Sequence, residues 1–321
     1  MAVEMIGQAG MTYELKQTYD RILLSVADQD VVYLKYGVKK PIPARGGKSI
    51  EFRRFEKIDA SSLTALTEGT MPSETNATIS IVSCTISQYG QYAKISDLLE
   101  VQGFDPVIEE YVRKFGIAMG EGLDTVVRNA LSSATTLQYA GSKTSVGTSV
   151  NTSVGSGDLL NAAELREMKR TLRRAGARQI SGRYICFIHP DNTKDLYEDP
   201  DIVDAFLHAA PKDNGNPLFT GVIGDWEGIR FVETNNLRVR SSYGCSGADV
   251  YEVVMFGDEY YGVSELSAMS AKTIIHPRGT GGHTDPLEQF STVGWKAALA
   301  AKILNDNFGG IIYVSSSRSA A

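Results

Sequence analysis

Between Asp105 and Ala134 apolar side chains recur every three or four positions: Ile108, Tyr111, Val112, Phe115, Met119, Leu123, Val126, Val127 and Ala130. That period marks one face of an α-helix, and Asp105-Pro106 supplies an N-cap and a first-turn proline. At 1.5 Å per residue, a helix of about 28 residues is roughly 40 Å long, more than a single compact domain of this size can cover. The spacing predicts a beam joining separate parts of the molecule. Gly116, Gly120 and Gly122 lie within it, each costing about 1 kcal/mol against alanine, which predicts close approach of another backbone along that face.

Around the helix the patterning is uneven. The first 50 residues carry little periodicity beyond Leu15 to Ala27, and they end in the turn-rich run Lys39-Lys40-Pro41-Ile42-Pro43-Ala44-Arg45-Gly46-Gly47. This reads as an arm ordered by lying on another surface. Ser49 to Phe55 and Thr78 to Ile86 alternate as strands on either side of a polar stretch, Asp59 to Asn76, and predict a long hairpin that needs a partner surface. Leu137 to Gly157, rich in Ser, Thr and Gly, reads as a surface loop. Asp158 is the expected cap of a second helix bearing Leu165, Met168 and Leu172 and ending near Gly176. Strands are expected at Arg183 to Ile188, Ile229 to Thr234, Val250 to Gly257 and Lys272 to His276, giving an α+β unit over about 158–276. Val293 to Ile303 alternates with period two and predicts a long strand. Ile311 to Val314 is expected to pair with it through a turn at Asn305 to Gly310.

The composition, 42% apolar and 22% charged with no apolar run long enough to span a bilayer, is that of a soluble chain. The N-terminus lacks the basic flank and apolar stretch of a signal peptide, so the chain is expected to stay in the cytosol where it is made. Cys84, Cys186 and Cys245 are far apart and have no metal-ligand spacing, so reduced, buried thiols are expected. The net charge of −6 is unevenly spread. Lys35 to Lys57 holds eight Lys/Arg against two Glu, Glu164 to Arg183 holds seven against two, and Tyr184 to Ala321 holds ten against eighteen Asp/Glu. Two basic segments on an acidic chain suit contact with acidic neighbours or loose contact with phosphate better than specific DNA reading.

Motifs for chemistry are missing. Gly46-Gly47-Lys48-Ser49 is close to the end of a phosphate-binding loop, but Ile42 stands where its first glycine belongs. Gly279-Thr280-Gly281-Gly282-His283 lacks the GxGxxG order. His189, His208, His276 and His283 are too scattered to chelate a metal, and Gly244-Cys245-Ser246-Gly247 is not a nucleophile elbow. Asp199, Asp201 and Asp204 beside Glu198 read as a solvated face rather than a calcium loop. No catalytic residue, cofactor or metal is expected.

Four stretches together resemble a known family: Tyr184-Ile185-Cys186-Phe187-Ile188-His189-Pro190, Gly221-Val222-Ile223-Gly224-Asp225-Trp226-Glu227-Gly228-Ile229-Arg230, Asp285-Pro286-Leu287-Glu288-Gln289 and Thr292-Val293-Gly294-Trp295-Lys296. With the order of arm, hairpin, long helix, α+β insertion and closing strand, the chain resembles the major capsid proteins of tailed bacteriophages, of Johnson fold, and among them the N-four-like podophage coat proteins. The resemblance spans nearly the whole chain. It implies an arm (1–49), an extended β-hairpin loop (50–98), a peripheral domain with the spine helix (99–157), an axial domain (158–276) and peripheral return strands (277–321). It implies a self-assembling icosahedral head shell built of hexamers and pentamers around double-stranded DNA, held non-specifically. Portal and scaffolding proteins are implied as assembly partners, a decoration protein is a further candidate, and no membrane is involved. The virion is the implied location, after assembly in the host cytoplasm.

Lys35, Lys39, Lys40, Arg45, Lys48, Arg53, Arg54 and Lys57, with Arg166, Arg170, Arg173 and Arg174, are the expected intersubunit or DNA-facing cations. A non-viral compartment shell is the alternative within the fold. A soluble α+β enzyme with an unrecognised site is the alternative outside it.

Overall fold

The computed structural model describes residues 31–41, 48–56, 78–102, 107–147, 152–203, 225–265, 272–278 and 289–320, with Ala65, Glu68, Gly69, Met71, Glu74 and Leu287. The hairpin tip, Asp105-Pro106, Leu15 to Ala27, Arg45, Lys57, His208 and the loop Gly279 to His283 lie outside the described residues, wholly or for the most part. In chain order the elements are α1 (Tyr33–Tyr36), β1 (Val38–Pro41), β2 (Ser49–Phe55), β3 (Ile79–Thr85), β4 (Ser87–Ser96), α2 (Asp97–Gln102), α3 (Val107–Leu131) and β5 (Leu137–Tyr139). There follow α4 (Ala162–Arg174), β6 (Tyr184–Ile188), α5 (Pro190–Glu198), β7 (Asp225–Trp226), β8 (Ile229–Glu233), β9 (Val239–Arg240) and β10 (Val250–Phe256). β11 (Tyr261–Glu265), β12 (Lys272–His276), β13 (Phe290–Leu299), β14 (Ala301–Ile303) and β15 (Gly309–Val314) complete an α+β fold.

The long helix is present as α3, 25 residues and about 37 Å. Val112, Met119, Leu123, Val127 and Leu131 are its buried stripe, each contributing roughly 1.5–3 kcal/mol by leaving water. Of its three glycines, Gly116 and Gly120 are buried. Gly122 faces open space, so no backbone approaches there and the expectation of close packing fails at that position.

Beside the glycines, Asp124 continues the same buried face one turn on, since 116, 120 and 124 are spaced by four. Its carboxylate is wholly buried. It accepts the backbone N–H groups of Val32 at 3.1 Å and Tyr33 at 2.7 Å, and the Asn236 side-chain amide at 3.3 Å. Tyr33 is itself wholly buried against Phe187, ring centroids 4.4 Å apart, and its carbonyl accepts from the Tyr261 hydroxyl at 2.5 Å. β1 then pairs in parallel with β11, Val38 opposite Gly262. The end of the expected arm is therefore part of its own subunit's core.

Strand membership departs from the linear reading. A seven-stranded sheet runs β5-β15-β10-β6-β8-β7, with β9 on β10. β11 lies between β1 and β14, and a third sheet runs β12-β13-β4. The stretch 158–276 is thus not one closed unit, because β11 and β12 leave it for other sheets. β15 does not return to β13–β14. It lies between β10 (antiparallel) and β5 (parallel). All six β15 residues are buried, whereas β13 exposes Lys296 on one face; a run apolar on both faces requires flanking strands and cover on both sides. Gly309 and Gly310 admit this placement, since a Cβ there would meet the Tyr260 ring at 2.6 Å and Thr136 O at 2.9 Å.

Two local expectations are corrected. Leu137 to Gly157 contributes β5 and the buried Ala140 and Val154 to the core rather than forming only a surface loop. The cap of α4 is Asn161, whose side chain accepts from Glu164 N at 2.9 Å. Asp158 instead accepts from Gly155 N at 2.8 Å, and its carbonyl accepts from Ser315 N at 2.9 Å, which delays the helix by one turn. The end near Gly176 is as expected, with Gly176 at φ +77°.

Asp124→Ala should cost the isolated subunit about 2–3 kcal/mol, by leaving buried N–H groups unpaired, in urea denaturation. Burial raises the Asp124 carboxyl pKa, against the hydrogen bonds from Asn236 and the Val32–Tyr33 backbone that lower it. An acid whose folded pKa is raised contributes stability that is fully present below its unfolded pKa and lost as pH rises through the folded value. Across that window, from the ordinary carboxylate range upward, the parent chain should lose stability relative to Asp124→Asn. Parallel pH profiles would contradict this.

Candidate assembly surfaces

β2 and β3 form the expected antiparallel hairpin, in register from Ser49–Thr85 to Phe55–Ile79. Its two faces differ. Ile50, Phe52 and Cys84 are buried against Ala300, with Ile86 and Leu304 packed beside them. On the opposite face Ile81 is 56% and Ile79 50% exposed, beside the exposed Arg53. Strand alternation produces this split: Phe52, Val82, Ile50 and Cys84 share one side, while Arg53, Ile81, Glu51 and Ser83 share the other. The root of the hairpin rests on its own subunit, and its outward face exposes Ile79 and Ile81 among Glu51, Arg53 and Ser83.

The basic residues of this region gather around that root. Lys40 donates to the Glu51 carbonyl and lies 5.5 Å above the Phe52 ring. Arg54 donates to Leu304 O at 3.4 Å and pairs with Glu56 at 3.5 Å. Glu56 is held below the usual carboxylate range by a hydrogen bond from Ser80 and by Arg54. Among the described residues Arg53 reaches only Glu51, at 3.8 Å, both well exposed, a pair of little energetic weight. Lys35, Lys39 and Lys48 are exposed.

The second basic segment is α4, amphipathic because Leu165, Met168 and Leu172 point inward. Its cations divide into two groups. Arg166 stacks 5.2 Å from Trp226, pairs with Asp201 at 2.7 Å and reaches Glu227 at 3.0 Å; its pKa is raised by these hydrogen bonds. Lys169 donates to the Glu227 carbonyl, and burial lowers its pKa. Arg170 pairs with Glu167, and Arg173 bonds the Tyr184 hydroxyl. Arg174 stands exposed at the helix end, where a cation also suits the helix dipole. Arg166 therefore serves its own fold, while Arg170, Arg173 and Arg174 present their charge outward. Asp199 and Asp201, expected with Asp204 to form a solvated acidic face, both serve the N-terminal part of α4: Asp199 accepts from Ala162 N at 2.7 Å, and Asp201 meets Arg166, while Asp204 lies outside the described residues.

Of the three buried acids among the described residues, Asp195 accepts from Ser317 N at 3.2 Å, and the other two escaped the sequence reading as it did. Asp124 is one, and its helical phase with Gly116 and Gly120 was the available signal. Glu252, 1% exposed in the middle of β10, is the other. It binds Arg240 at 2.5 Å and lies 3.8 Å from Arg238. Arg240 is sandwiched between Tyr243 and Tyr313 at 5.2 and 5.5 Å. Nothing in the local pattern of a continuously buried strand marked that glutamate. The three cysteines are buried and free, as expected, and burial alone pushes the Cys186 thiol well up.

The sequence over residues 81–314 matches the family model described as phage capsid protein. No curated protein matches the chain. Among solved structures, the capsid of Ralstonia phage GP4 aligns at a TM-score of 0.68 with 15% identity, covering 89% of this chain and 91% of the other. The capsid of cyanophage P-SCSP1u aligns at 0.65 with 16% identity, covering 89% of each. The virus-like particle from Pyrococcus furiosus aligns at 0.51 with 12% identity, covering 93% and 99%.

Arg166→Ala should lower the stability of the unassembled chain by about 1 kcal/mol or less, because its partners are partly exposed. Arg170→Glu with Arg174→Glu should change it by no more than about 0.5 kcal/mol. Thermal unfolding of the unassembled chain measures both. A larger loss for the double variant would mean that those cations hold the subunit together instead of facing a neighbour.

Proposed function

The chain belongs to the phage capsid protein family, and from that premise we propose how its parts serve a shell. It is a major capsid protein, a structural subunit of the phage head that associates with copies of itself and resides in the virion capsid. The observation that carries this is the family match, which runs unbroken from the second strand of the hairpin to the last strand of the seven-stranded sheet.

The finer reading follows the resemblance. α3 serves as the spine helix. The hairpin, 50–98, is the extended loop, and its outward Ile79 and Ile81 meet a neighbouring subunit. The seven-stranded sheet with α4 and α5 is the axial domain that meets at five- and six-fold centres. Because β15 sits between β5 and β10, that domain takes in β5 and the C-terminal strand as well as 158–256. β12, β13 and α3 belong to the peripheral domain, with β4, at the end of the extended loop, paired onto β13, and the arm, 1–49, reaches neighbours from a root at 31–41 that its own subunit holds. Lys35, Lys39, Lys40, Arg45, Lys48, Arg53, Arg54 and Lys57, with Arg170, Arg173 and Arg174, supply intersubunit ion pairs or loose contact with double-stranded DNA. Arg166 drops from that set, since its charge is already met. Portal, scaffolding and decoration proteins act with the subunit in the host cytoplasm, and it catalyses no reaction.

Electron microscopy of the recombinant chain, co-expressed with its neighbouring genes, should show closed shells, tubes or capsomer rings. A uniform monomer or dimer under those conditions would overturn the reading. Lys39→Glu, Lys48→Glu and Arg53→Glu together should abolish shells while leaving a folded, soluble subunit by circular dichroism. Normal shells from that variant would remove these residues from assembly.

A further inference from the structure

The three-stranded sheet β12-β13-β4 has one face packed inward, with Ile95, Val293, Trp295, Ala297 and Thr273 buried. Strand alternation places the other residues on an outer face, in three cross-strand rows. The first row is Lys272, Lys296 and Gly90, the second Ile274, Gly294 and Tyr92, and the third His276, Thr292 and Lys94. An open groove of about 540 Å³ runs over this face, lined by Gly90, Tyr92, Ile274, His276, Gly294 and Lys296 among others, and Lys272 and Lys94 continue the two outer rows beyond it.

The floor is glycine for a steric reason. A Cβ on Gly294 would lie 2.9 Å from Gln91 O, and one on Gly90 would lie 2.6 Å from Trp295 O. The walls are apolar and uncovered, with Tyr92 72% and Ile274 39% exposed. The two flanking rows are cationic. No carboxylate stands on this face among the described residues, although the chain carries a net charge of −6. Lys272 and Lys296 lie directly opposite each other, an arrangement that destabilises a strand pair unless a counter-charge arrives. Neither Lys272, Lys296 nor His276 has an ion-pair partner among the described residues, and Lys94 contacts only the Phe290 ring, at 5.9 Å. Both edges of the sheet are open among the described residues, and open strand edges receive polypeptide.

We propose that this groove is a docking site for an acidic, extended segment of a second copy of the chain, seated over Gly294 between Tyr92 and Ile274, with carboxylates meeting Lys272–Lys296 on one side and Lys94–His276 on the other. The apolar middle row and the open edges favour polypeptide over nucleic acid, whose backbone would leave Tyr92 and Ile274 facing phosphate. A subunit that meets copies of itself supplies the acidic surface, so the inference rests on the shell reading above.

A photo-crosslinking residue at Tyr92, whose side chain is exposed and makes no hydrogen bond among the described residues, tests this with the full chain. Shells are grown from a mixture of isotopically light and heavy subunits, irradiated, digested and read by mass spectrometry beside unassembled subunits. The expected result is a light–heavy crosslink from position 92 to an Asp- or Glu-bearing peptide of the same chain, in shells only. Lys272→Glu with Lys296→Glu should reduce both that crosslink and the shell yield ~10-fold, while the unassembled chain keeps its melting temperature. Crosslinks in shells to nucleic acid alone, to another protein alone, or to nothing would overturn the inference and leave the shell reading intact. Failure of the parent chain to form shells would overturn both.

Discussion

A single buried carboxylate ties together three parts of this subunit that are far apart in sequence. Asp124 takes hydrogen bonds from the backbone at Val32 and Tyr33 and from the side chain of Asn236. The long helix, the segment entering from the N-terminal side and the turn after β8 therefore share one acceptor. Burying a carboxylate is unfavourable unless several donors converge on it, so the three segments must arrive together. Around that point Tyr33 fills the space beside Phe187, Tyr261 closes on Tyr33, and β1 is delivered into register with β11. The remaining sheets are arranged about an element that has already been anchored at its middle.

A subunit of a shell must be stable alone and still incomplete. The hairpin and the β12-β13-β4 sheet show how alternation meets both demands, with one face of each closed against the core and the other left open. In the hairpin the open face is isoleucine and arginine, and in the sheet it is tyrosine, isoleucine and lysine. The cations of α4 show the same division within one helix, since Arg166 is consumed internally and the exposed Arg174 has no ion-pair partner among the described residues. Charge counted along the chain does not separate these cases. Only the positions of Asp201, Glu227 and Trp226 do.

Much of the fold was legible in the sequence because period carries physical information over short range. α3, α4, the hairpin strands, β6, β8, β10, β12 and β13 were all readable from the spacing of apolar residues. Their partners were harder to read. Alternation in β13 exposes one face and marks an edge-rich, half-covered sheet, but the run Gly309–Val314 gives no phase at all, because it is buried on both faces. Its neighbours β5 and β10 begin more than 50 residues away in either case, beyond the reach of any local pattern. The low-complexity stretch from Leu137 misled for a related reason: small polar residues that look like a loop conceal a three-residue strand which one parallel partner completes.

By itself, then, the sequence determined the two main helices and the strongly patterned strands, the uneven charge, the lack of catalytic spacing and the family resemblance, all of which are properties of residue type and interval. The tertiary structure alone decided which strands share a sheet, which cations are already paired, and that Asp124 and Glu252 are buried acids. It also decided that two glycines and three lysines meet on one face. These are matters of pairing between distant segments, set by the competition of all possible neighbours for the same core, and no interval along the chain encodes them.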